Sequence, residues 1–74
     1  MNKKRNEEFE NIIKDNINDL FLKNKKKKTE LAKYLNVTPT TVCKYCEGNI
    51  TPSIESLIKI ANFFNVTLFE VIGR

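Results

Sequence analysis

At residues 35–39 the chain reads LNVTP, and at residues 64–68 it reads FNVTL. Each stretch ends one helical pattern and starts another within two residues. Asparagine tolerates the left-handed backbone conformation that often closes a helix. The threonine two residues later can accept a free backbone N–H as an N-cap. The valine between them, Val37 or Val66, is left to point back into a core. At the first corner Pro39 follows, suited to the first helical position, where its missing N–H costs nothing. Two such corners require short helices that turn with almost no loop.

Seventy-four residues make one domain with a small core, and 41% apolar content is enough to form it. Only two glycines and two prolines are present, so few turns are signalled. The expected fold class is all-α, a compact bundle of five short helices. After a flexible basic end at 1–5, a single domain spans 6–74. The first helix is expected over 6–24, with Phe9, Ile12, Ile13, Ile17, Leu20 and Phe21 as its apolar stripe. The second covers 27–35 and buries Leu31, Ala32 and Leu35. The third covers 39–47, with Val42 and Tyr45 inward and Thr40, Thr41, Cys43 and Lys44 mainly outward. Gly48 suits the position just past its end. The fourth covers 54–64 and is expected to bury Ile54, Leu57, Ile58, Ala61 and Phe64. A short fifth carries Leu68, Phe69, Val71 and Ile72. Phe63, Phe69, Val71 and Ile72 exceed what one small core requires, which points to a homodimer surface at this end.

The net charge of +4 is unevenly placed. Residues 23–44 hold seven lysines (23, 25, 26, 27, 28, 33 and 44) against one acid, Glu30. The segments on either side each carry one more acid than base. A localised basic face fits a polyanionic partner.

Other chemistries find little footing. There is no histidine, which excludes serine–histidine and cysteine–histidine nucleophilic sites. Gly48 and Gly73 are the only glycines, so no glycine-rich phosphate loop exists. The carboxylates are dispersed, and no enzyme activity is expected. Cys43 and Cys46 supply one pair where structural zinc wants four ligands, so they are read as small helix residues and no metal or cofactor is expected. No small-molecule ligand is inferred. No apolar run reaches membrane-spanning length and no secretory pattern opens the chain, so the expected location is the cytoplasm, not a membrane. The N-x-T tripeptides at Asn36, Asn49 and Asn65 are therefore read as capping and turn chemistry.

Two short helices meeting at 35–38, the second with an outward strip of Thr40, Thr41 and Lys44, form a helix-turn-helix arrangement. In that arrangement the second helix enters the DNA major groove and reads bases with residues near its N-terminus. Lys27 and Lys28 open the first of the two helices, where side chains and backbone N–H groups can meet a phosphate.

From Glu30 to Ile72 the chain resembles the phage-repressor and Xre-type helix-turn-helix family. ELA opens the match, NVT makes the corner and TTV begins the recognition helix; EG closes that helix, and IESLIKIA and NVTLFEVI form the last two helices. The resemblance implies a sequence-specific DNA-binding transcriptional regulator, chiefly a repressor, bound to double-stranded operator DNA as a homodimer. It implies base reading by Pro39, Thr40 and Lys44, with Thr41 and Cys43 beside them; Thr38, the cap of that helix, is counted in the DNA-binding set. Lys28 stands where a phosphate-contacting glutamine is common, and Asn49 lies in the loop that touches backbone after the recognition helix. Pro39 departs from the long polar reader frequent at its position. The alternative is a helical protein-interaction module, an adaptor or antitoxin-like partner, that uses the same fold without reading bases.

Overall fold

A computed structural model describes residues 7–73. The basic end expected at 1–5, together with Asn6 and Arg74, lies outside the described residues. The five helices are α1 (Glu7–Lys23), α2 (Lys28–Leu35), α3 (Pro39–Glu47), α4 (Ile54–Phe64) and α5 (Leu68–Ile72). No strand occurs among the described residues. α3 and α4 occupy the residues expected for them.

α1 ends one residue early: Asn24 makes the last helical bond, its N–H on the Leu20 carbonyl at 3.0 Å, and its side-chain amide donates to the same carbonyl at 2.8 Å. α2 begins one residue late. Lys27 stays extended (φ −105°, ψ 152°) as its N-cap, with its N–H held by the Glu30 carboxylate at 2.8 Å.

Three helices close in the same way. Asn36, Gly48 and Asn65 are left-handed, with φ of 62°, 81° and 60°. The residue after each donates its N–H five residues back: Val37 to Ala32, Asn49 to Lys44 and Val66 to Ala61, at 2.9, 3.0 and 2.9 Å. This is the Schellman arrangement, which satisfies carbonyls that a helix end leaves open. Thr38, Ser53 and Thr67 cap α3, α4 and α5 by accepting the N–H of Thr41, Ser56 and Glu70.

The core is built from Ile13, Ile17 and Leu20 of α1, Leu31, Ala32 and Leu35 of α2, Val42, Tyr45 and Cys46 of α3, Leu57, Ile60, Ala61 and Phe64 of α4, and Val71 of α5. α2 packs on both α3 and α4, and α1 on both α3 and α5. Phe21 and Phe64 meet edge-on at 5.1 Å between ring centroids.

Three expectations for the core need correction. Ile54 and Ile58 are exposed, at 61% and 45%, and Ile60 is fully buried in their place. Two apolar stripes coexist on this helix, and packing against α2 and α5 selects 57, 60, 61 and 64. Phe9, expected on the inner stripe of α1, is 41% exposed near the helix start. Val71, expected among residues in excess of the core, belongs to it.

Candidate nucleic-acid interface

α3 has two faces fixed by its period. Val42, Tyr45 and Cys46 are buried. Thr40, Lys44 and Glu47, spaced by four and then three residues, are exposed on the far side. Thr41 and Cys43 lie between the faces and are partly exposed. The strip expected from sequence is therefore open to a partner.

The start of this helix is firmly built. The Thr38 hydroxyl accepts the Thr41 N–H at 3.3 Å and lies 3.1 Å from the Thr41 hydroxyl. Thr38, Pro39 and Thr40 are exposed. Lys27 and Lys28 are exposed at the start of α2, which packs directly on α3. Burial pushes the Cys46 thiol's pKa up from 9.0, and the charge of Lys28 pulls it partly back. Asn49 is exposed beyond the C-terminus of α3, with its side-chain amide on the Glu47 carboxylate at 2.9 Å.

All nine residues singled out from sequence thus lie at α2's start, at the N-cap of α3, along α3 or just after it. Sequence reasoning counted Lys26 only in the basic cluster and missed its contact: its ammonium sits 4.9 Å from the centre of the Phe63 ring. Phe63 in turn packs on Tyr34 at 5.4 Å. A cation over an aromatic face is attracted by the ring's negative quadrupole, so this contact steadies the lysine-rich joint between α1 and α2. Nothing in the order of the residues pairs positions so far apart.

Cys43 and Cys46 are free thiols. Among the described residues no group of three or more cysteines and carboxylates is placed to hold a metal ion. None of their helices is long and apolar enough to cross a membrane.

The geometry of α2 and α3 agrees with comparison against known proteins. The model of a family described as helix-turn-helix matches residues 17–71. The chain belongs to this helix-turn-helix family, of the Xre and lambda-repressor-like type. No curated protein matches it significantly. Among solved structures it is similar to the SOS-response transcriptional repressor LexA from Eubacterium rectale. That likeness has a TM-score of 0.80 at 28% sequence identity and covers 97% of this chain and 73% of the other. Family and likeness together support a DNA-binding regulator of transcription.

Proposed function

We propose that this protein is a sequence-specific repressor that lays α3 in the major groove of operator DNA. The observation that carries this reading is the split surface of α3, with Val42, Tyr45 and Cys46 buried and Thr40 and Lys44 exposed beside a lysine-rich helix start. Lys27 and Lys28 fix the register on phosphates. Thr38, Pro39 and Thr41 shape the entry of the helix, Thr40 and Lys44 reach base edges, and Cys43 and Asn49 flank the contact. Lys44 can reach guanine O6 and N7, a contact that discriminates by about 1–3 kcal/mol when well formed. The action requires binding alone, in the cytoplasm, with neither catalysis nor a cofactor.

One recognition helix spans few base pairs, so the protein acts as a two-fold dimer on half-sites about one DNA turn apart. Phe69, 67% exposed on α5, is the candidate anchor of that dimer, with the partly buried Phe63 and Ile72 near it in sequence. Sedimentation with and without duplex checks this: a dimer at least on DNA is expected, and a strict monomer with one protein per site contradicts it.

The test of base reading is Lys44→Ala. Its selected binding motif is expected to lose preference at one base pair per half-site. A motif identical to that of the wild type removes Lys44 from the readers. The second reading, a protein-interaction module, draws on apolar side chains exposed away from α3: Tyr34 at 50%, Ile54 at 61% and Ile58 at 45%. Absence of any duplex binding at low salt would favour it.

A further inference from the structure

The recognition helix is gripped from behind by α1. Its C-terminal carbonyls find partners one after another. Lys44 and Tyr45 accept the N–H groups of Asn49 and Gly48, at 3.0 and 3.2 Å. The next carbonyl, that of Cys46, accepts the side-chain amide of Asn18 at 2.9 Å, across 28 residues of chain. One turn before Asn18, Lys14 lays its stem on Gly48: a Cβ placed there would come within 2.9 Å of the lysine Cδ. Two points of α1, four residues apart on one face, thus hold the last turn of α3 and the residue that closes it. The other end of α3 is set by the Thr38 cap and the corner.

Asn16 supplies a built-in contrast. It lies two residues from Asn18, so it points to the other side of α1. Its amide reaches the carbonyls of Val71 and Gly73, at 2.9 and 2.8 Å, and so ties down α5. The two asparagines perform the same chemistry on two helices, only one of which carries the exposed Thr and Lys strip.

We infer that Asn18 is a positioning residue for sequence reading, aided by the stem of Lys14: it fixes the tilt of α3 without reaching DNA. This rests on the proposal that α3 reads DNA. A base contact made by one side chain depends on where its helix lies in the groove. A helix held at both ends presents Thr40 and Lys44 in one pose. When the rear tether is cut, that order must be established during binding, and only the matched sequence repays it. Phosphate contacts by long lysines tolerate a small tilt, so binding to unmatched DNA changes little.

The experiment compares affinities for a duplex carrying one selected half-site and for its scrambled counterpart. Asn18→Ala is expected to lower the ratio of the two about fivefold, the equivalent of one net hydrogen bond. Asn16→Ala, which loses two bonds of the same kind at the end of α5, is expected to lower the melting temperature but leave the ratio unchanged. Equal ratios in wild type and Asn18→Ala, or an equal drop in both variants, overturn the inference. Amide hydrogen exchange in the free proteins separates this failure from failure of base reading. Exchange in the last turn of α3 is expected to be faster in Asn18→Ala only; unchanged exchange refutes the tether whatever DNA shows. A wild type that binds both duplexes equally refutes base reading itself, and the role of Asn18 in it.

Discussion

The corners at 36–38 and 65–67 are the same object built twice. Their asparagines have φ of 62° and 60°. Their valines each donate to an alanine carbonyl at 2.9 Å, and their threonines each accept an N–H at 3.3 Å. The helices they launch are not alike. After the first corner come nine residues whose outer face is polar and open. After the second come five, with Val71 buried and the end tied to α1 through Asn16. Lysines 25–28 lead into the helix before the first corner, which also carries Lys33, whereas no lysine leads into α4 from 48–53 and its only one is Lys59. The corner is therefore a folding device, and under the proposed function the capacity to meet DNA resides in the helix after the first one and the charge before it.

The largest effect should come from breaking each corner outright. Asn36→Val and Asn65→Val force a β-branched residue into the left-handed region, at about 1–3 kcal/mol each. Urea denaturation should show losses of similar size at the two sites, with Asn36→Gly and Asn65→Gly nearly neutral. A harmless valine at one site alone would mean that the corners are not equivalent.

Removing the caps is a gentler break. Thr38→Ala and Thr67→Ala should each cost about 1 kcal/mol. Only Thr38→Ala should also weaken duplex binding, beyond what its stability loss explains. Equal effects of the two on DNA would contradict the division of labour.

Lys28→Ala sharpens the comparison without touching the fold. It should weaken binding to all sequences alike and reduce the salt slope of log K by about one. Wild-type affinity throughout a salt titration would remove it from the phosphate contacts.

The smallest effect concerns pH. The inner face of α3 carries a titratable group, Cys46, where α5 carries Val71. Burial raises the Cys46 pKa above 9.0, so on alkaline titration the unfolded chain ionises first. Its contribution is intact below that pH and is lost as pH rises through the folded-state value. Cys46→Val should flatten that part of a stability–pH curve, and an unchanged alkaline slope would assign the loss to other groups.

Helix boundaries were legible because their punctuation is local: asparagine, threonine, proline and glycine act on their own backbone. The buried face of α4 was not. Apolar residues at 54, 57, 58, 60, 61, 63 and 64 fit two overlapping stripes, and only neighbouring helices choose between them. The outer strip of α3 could be read because a short amphipathic helix has just one polar side. Asn18, Lys14 and Lys26 could not, since by period they are ordinary polar helix or loop residues. Their partners are a carbonyl, a glycine and a ring that reach them only once the chain has folded.

Selection of bound sequences from random duplex DNA, at a salt concentration that suppresses phosphate-only binding, tests the central claim most directly. We expect enrichment of a two-fold symmetric motif, its half-sites about one helical turn apart. Strong binding with no enriched motif, or no binding once salt is raised, would contradict base reading by α3.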